Sequence, residues 1–124
     1  MQAVNALNWF EIPAADLRRA TRFYEAVLGR KLKHETMGPQ ELAIFAYEQP
    51  GVGGCLVAGD GYAPAASGTV VYLGVEPALD DALERVRRAG GKIALPKTVL
   101  PEGMGVYAHV IDSEGNRVGL HASA

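Results

Sequence analysis

An α+β chain of two tandem βαβββ modules, with curved sheets around a cavity, is the architecture this sequence predicts. Its first support is a motif that occurs twice. Asp16–Gly29 (DLRRATRFYEAVLG) and Leu79–Gly91 (LDDALERVRRAGG) are both short amphipathic stretches, each entered from an apolar strand and left through glycine. The second is spacing, because Leu28-Gly29 and Ala89-Gly90 stand about half of the 124-residue chain apart. The third is period: apolar residues alternate outside these stretches and recur at helical spacing inside them. Internal duplication of this kind sets two similar halves against each other and leaves room for a small molecule between their sheets.

Val4 to Ile12 alternates as a strand, with Leu7, Trp9 and Glu11 on one face and Asn8, Phe10 and Ile12 on the other; Pro13 ends it. Asp16 is placed as an N-cap, and Leu17, Ala20, Tyr24, Val27 and Leu28 form a helical stripe that Gly29 closes. Three short strands follow near Lys31–Thr36, Glu41–Tyr47 and Gly53–Ala58, separated by Gly38-Pro39 and Gln49-Pro50-Gly51. The small, Pro- and Gly-containing stretch Asp60–Gly68 then connects module 1 (about 1–59) to module 2 (about 69–124) inside one domain spanning 1–124. Thr69–Val75 reads as a strand, Pro77 suits a first helical turn, and Leu79, Ala82, Leu83 and Val86 make the second stripe. Lys92–Leu95, Met104–Ile111 and Asn116–His121 supply the last strands, the final pair joined by the tight turn Asp112-Ser113-Glu114-Gly115.

Composition narrows the function classes. With 48% hydrophobic and 21% charged residues the chain is an ordinary globular one, and its apolar runs are far short of a membrane-spanning helix. A net charge of -2 gives no footprint for nucleic acid, and the one basic cluster, Arg85, Arg87 and Arg88, reads as the solvated side of a helix. The lone Cys55 cannot form an internal disulfide, which fits a cytoplasmic, reducing setting, and no secretory signal opens the chain. Gly51–Gly54 (GVGG) leads into a strand and lacks phosphate-loop spacing, so its glycines read as a tight turn and a close backbone approach.

NWFEIPAADLRRATRFYEAVLGRKL at the front and GGKIALPKTVLPEGMGVYAHVIDSEGNRVGLHA at the back, in this order and spacing, resemble the vicinal oxygen chelate superfamily of glyoxalases, bleomycin resistance proteins and extradiol dioxygenases. The resemblance is greatest to its glyoxalase-related branch, in which a D-x-x-G-N turn and an apolar strand close the second module. It implies the glyoxalase-like fold, a small-molecule ligand and a homodimer. Metal-using members hold one divalent ion with His and Glu side chains at four strand positions. By this resemblance those positions are Trp9, Cys55, Gly119 and one of Val70 or Val71. A single thiol falls short of the three or so protein ligands that a catalytic metal keeps, so no metal or other cofactor is expected.

The polar and aromatic groups left on the cavity side are Trp9, Glu11, Tyr107, His109 and His121, with Tyr72 joining them if Val70 points inward. Pairing the strands across the Asp112–Asn116 turn sets His109 opposite Gly119 and Tyr107 opposite His121. Each has two readings. Trp9 is pocket wall or interface packing, Glu11 a pocket carboxylate or the partner of a nearby base, and His109 an acid/base group or a hydrogen-bonded strand histidine. A relocated ion held by Glu11, His109 and His121 is the minor alternative. The leading expectation is a metal-independent binding protein whose ligand meets Trp9, Glu11, Cys55, Tyr72, Tyr107, His109, Gly119 and His121. Its rival is a lyase or isomerase in which Glu11 or His109 moves a proton.

Overall fold

The computed structural model describes residues 5–124. The first module is β1 (Trp9–Pro13), α1 (Leu17–Leu28), β2 (Lys33–Met37), β3 (Gln40–Ile44) and β4 (Gly53–Ala58). The second is β5 (Tyr72–Gly74), α2 (Leu79–Arg88), β6 (Lys92–Val99), β7 (Val106–Ile111) and β8 (Arg117–Ala122), with a 3-10 turn at Pro101–Gly103 between β6 and β7. Each module carries its own four-stranded sheet, ordered β1-β4-β3-β2 and β5-β8-β7-β6. In both, the strand before the helix returns beside the last strand as a parallel pair, while the other neighbours are antiparallel. The α+β class and the repeated unit are therefore as expected.

Several boundaries shift for identifiable reasons. Val4 lies outside the described residues, and β1 begins only at Trp9, where pairing with Gly53 starts. Pro13 does not end that strand but closes it from within, paired with Val57; β1 is an edge strand, where a missing N–H costs no ladder bond. The same tolerance lets β6, an edge strand, run through Pro96 to Val99 instead of stopping at Leu95, at the cost of two register shifts. β5 is shorter than Thr69–Val75. Pro77 is not in the first helical turn: Ala78, extended at φ -144 and ψ 159, is the N-cap, so the helix starts at Leu79. Asp16 caps α1 as its sequence implies, accepting from the Arg19 amide at 3.1 Å, and Gly29 leaves it at φ 70.

One continuous core uses the helix-facing side of both sheets. Ile12, Ala20, Tyr24, Val27, Phe45 and Leu56 from the first module meet Leu73, Leu79, Ala82, Val86, Ala108 and Leu120 from the second, all buried. Gly91 permits this approach, since a Cβ there would stand 2.7 Å from Val86 and 2.8 Å from Phe23. Arg85 departs from the expected solvated face. Its guanidinium donates to the Val27 carbonyl at 2.9 Å and the Glu76 carbonyl at 2.8 Å, tying α2 to the C-terminus of α1.

The D-x-x-G-N turn does more than join β7 to β8, because it clasps the two modules together. Asp112, 5% exposed, accepts from the Glu114 and Asn116 amides with one oxygen and from the Tyr24 hydroxyl (2.5 Å) and Asn116 Nδ2 with the other. Asn116 Nδ2 also donates to the Pro13 carbonyl at 2.7 Å. Burial first, and then the Asp112 charge, push the Tyr24 phenol well above its ordinary value, so it stays a donor. Glu114 accepts from the Asp16 amide and, in two bonds, from Arg19. Burial alone would raise its carboxyl, but the Arg19 bond, the Asp16 amide and the Ser113 hydroxyl outweigh that and hold it at about 2.

This carboxylate sets an acid limb of stability. Its folded pKa of about 2 lies below the ordinary 4.5, so its contribution is complete above that ordinary value and disappears as pH falls toward 2. At about 1.4 kcal/mol per unit, the loss is roughly 2–3 kcal/mol after allowing for the half-exposed Arg19. Urea unfolding followed from pH 7 to 2 should show that decline, and Glu114→Gln should flatten it. An unchanged acid limb in the variant would refute the assignment.

Candidate functional site

The sheet faces turned away from the helices carry the side chains that the sequence marks out, and alternation decides which. In the first module Trp9 and Glu11 stand on one side of β1 while Phe10 and Ile12 turn to the core. Trp9 meets Tyr47 edge to face, with ring centroids 6.1 Å apart. Gly53 makes that contact possible: a Cβ there would come within 2.5 Å of the Tyr47 ring. Glu11 faces Cys55 across the parallel ladder, and Cys55 packs with Leu42 and Val57 and with the flanking Ile44 and Tyr62. Burial, followed by the Glu11 charge, pushes the Cys55 thiol up to about 11, with the Trp9 indole partly offsetting; it remains a protonated, inert group. Burial and the same Glu11 charge also raise Tyr62, which shares a bond with Gln40.

In the second module Tyr72, Tyr107 and His109 form a mutually packed aromatic trio, with centroids 5.4 to 5.9 Å apart. The ladder sets His109 opposite Gly119 and Tyr107 opposite His121, the pairing expected across the turn. Val71 packs on the core with Leu73, so Val70 shares the outward face of Tyr72, which settles the open choice between the two valines. Tyr72 is paired with Gly119 as Glu11 is with Cys55, so the carboxylate and the phenol occupy equivalent places in the two halves. The Tyr72 ring lies over Gly119, where any Cβ would collide with it. Its hydroxyl is 2.6 Å from His109 Nε2, and Arg117 contacts His109 Nδ1 at 3.3 Å. Burial, and then the Arg117 charge, lower the His109 pKa, keeping the ring neutral at pH 7. His121 is half-buried, with Nε2 at 2.7 Å from the Met104 carbonyl. Tyr72, Leu100, Tyr107 and His121 border an open hollow of about 420 Å³.

The structure thus divides the candidate residues into two groups: Trp9, Glu11 and Cys55 on the first sheet, Tyr72, Tyr107, His109, Gly119 and His121 on the second. Among the described residues no three His, Cys, Asp or Glu side chains gather as a metal would need, and Glu11, His109 and His121 are no exception. The four family metal positions do not fit a divalent ion: Trp9 and Val70 offer no lone pair, Cys55 a protonated thiol, and the space a Gly119 side chain would need holds the Tyr72 ring. Two further residues stand beside these candidates, Arg117 against His109 and Tyr62 against Cys55. Arg117 was legible in principle, because it is two residues before Gly119 and shares its face. Tyr62 lies in the connecting segment, where no period marks it; that segment is pinned to β8 by Arg117, which donates to the Ala65 and Ala66 carbonyls.

Among the described residues no helix is long and apolar enough to cross a membrane. Among proteins of curated function none matches the chain. Solved structures do. The chain is similar to an E144Q mutant of glyoxalase I from Zea mays (25% identity, TM-score 0.68), covering 94% of this chain and 46% of that one. It therefore spans about half the length of the maize enzyme. It is also similar to the fosfomycin resistance protein FosX from Listeria monocytogenes (17% identity, 97% and 94% covered, TM-score 0.68). A glyoxylase/bleomycin resistance protein/dioxygenase domain from Frankia sp. EAN1pec matches at 20% identity, 97% and 98% covered, with TM-score 0.70. Residues 6–120 match one family throughout, and with the paired βαβββ modules this places the chain in the glyoxalase/bleomycin resistance protein/dioxygenase superfamily.

Proposed function

We propose that this protein is a metal-independent receptor for a planar small molecule, working in the cytoplasm as a homodimer. The carrying observation is that the Tyr72 ring occupies the space over Gly119, one of the positions where the family's metal ligands would sit. Tyr72 covers Gly119, Tyr47 covers Gly53 and packs on Trp9, and these rings stay substantially open, with Trp9 38%, Tyr47 43% and Tyr72 50% exposed. Rings held on a rigid sheet give large contact area at little entropic cost, which is what binding without chemistry requires.

A second copy enters the proposal because the hollows beside Tyr107 and beside Trp9 are each walled by one module, whereas the cavity between the modules is lined by Tyr47 and Gly53 of the first and Tyr72 of the second. The hollow beside Tyr72 is bordered by the second module, and the one beside Trp9 by Leu7, Tyr47 and Val52 of the first. A ligand on either is held from one side, and the complementary face of a partner would enclose it.

The test is a thermal-shift series with nickel, zinc, manganese, iron and a set of planar aromatic compounds, alongside metal analysis and light scattering. Aromatics at a hundredfold excess over Kd should stabilise the protein by about 2.7 kcal/mol, the metals should leave it unmoved, and the mass should be that of a dimer. A large shift with a metal and none with any aromatic would overturn the reading. Turnover of a compound in the same series would instead make His109 or Glu11 an acid/base group.

A further inference from the structure

We infer that Arg117 fixes the tautomer of His109 and thereby turns the Tyr72 hydroxyl into a hydrogen-bond donor aimed at an anionic oxygen, such as a carboxylate, on the bound ligand. This rests on the receptor reading above and names the ligand chemistry for which the second-sheet face is built.

The argument is one of donors and acceptors. A guanidinium has only N–H donors, so its 3.3 Å contact with His109 requires Nδ1 to be the unprotonated, accepting nitrogen. A proton on Nδ1 would set two N–H groups against each other. The neutral ring consequently carries its proton on Nε2, which lies 2.6 Å from Tyr72 Oη. Nε2–H donates, and the phenol oxygen accepts. The hydroxyl proton of Tyr72 is then not engaged by His109 and turns into the open face, where the residue is 50% exposed and borders the hollow with Tyr107, Leu100 and His121.

Charge selects the acceptor. The other described partner of the Arg117 side chain is the Ala66 carbonyl, an uncharged group, and no described carboxylate pairs with it within 4 Å, although Glu11 lines the same cavity. The positive field beside His109 therefore favours a negatively charged oxygen over a neutral one, and the rings of Tyr72 and Tyr107 favour an aromatic body behind it.

Two measurements on the intact protein decide the matter. Long-range 15N–1H NMR of the imidazole should show Nδ1 unprotonated and Nε2 protonated in the free protein, with the pattern lost in Arg117→Met; the opposite tautomer overturns the inference. Fluorescence titration with naphthoate and with methylnaphthalene, matched in shape and differing in charge, should show naphthoate preferred. Tyr72→Phe should weaken naphthoate about tenfold or more and leave methylnaphthalene nearly unchanged, with the melting temperature as a check on folding. Equal weakening of both probes also overturns it. Failure of both to bind the unsubstituted protein sinks the receptor reading and the donor role with it, whereas binding of methylnaphthalene alone sinks only the anionic-oxygen assignment.

Discussion

Asp112→Ala should lower the unfolding free energy by about 3–5 kcal/mol, a large share of the stability of a domain this size. The substitution leaves the fully buried Tyr24 hydroxyl and the Glu114 and Asn116 amides without their acceptor, inside a turn that bonds the second module to the first. Asn116 loses one of its anchors too, and with it the grip on the Pro13 carbonyl loosens. Asp112→Asn should cost less, about 1–2 kcal/mol, because the remaining oxygen keeps the two amides and the phenol can accept where it formerly donated, so that only the bond from Asn116 Nδ2 is lost to a facing NH2. Urea midpoints at unchanged slope measure both, and a Tyr24→Phe/Asp112→Asn double-mutant cycle isolates the pair. A loss below about 1 kcal/mol in Asp112→Ala would show that Asp112 contributes little to holding the modules together.

That clasp also shows where sequence reading succeeds and where it stops. Alternation along β7 and β8, anchored on a recognisable turn, is enough to set His109 against Gly119 and Tyr107 against His121, because side-chain period and register in a hairpin are local properties. The same holds for Asp16 and Gly29 at the ends of α1, whose signals lie within one turn of the helix. Tyr24 looked only like one more member of an apolar stripe. Its bond to Asp112 spans 88 positions, and nothing local announces it. Arg85 likewise sits in a basic run whose other members are exposed, and only the packing of α1 beside α2 gives it carbonyls to meet. Pro13 does not terminate its strand, and β6 runs on through Pro96, because whether a strand is an edge is decided by sheet order and not by the strand itself.

Gly119 carries the other large expectation, and it separates binding from folding. Gly119→Val should reduce affinity for planar aromatic ligands by at least about thirtyfold while moving the melting temperature by only a few degrees. The reason is positional: Tyr72 rests directly over the glycine, so any Cβ evicts the ring from the face it now forms. Eviction breaks the Tyr72 contact with His109 and the edge-to-face packing on Tyr107, and these three groups are what a ligand on this face would touch. The fold tolerates the change because Tyr72 is half exposed and the core lies on the other side of β8, at Val118 and Leu120. Isothermal titration beside differential scanning reads both quantities on one sample. If binding survives in Gly119→Val, the ligand is held elsewhere, on the Trp9 and Tyr47 face, and Tyr72 is only a cover for the sheet.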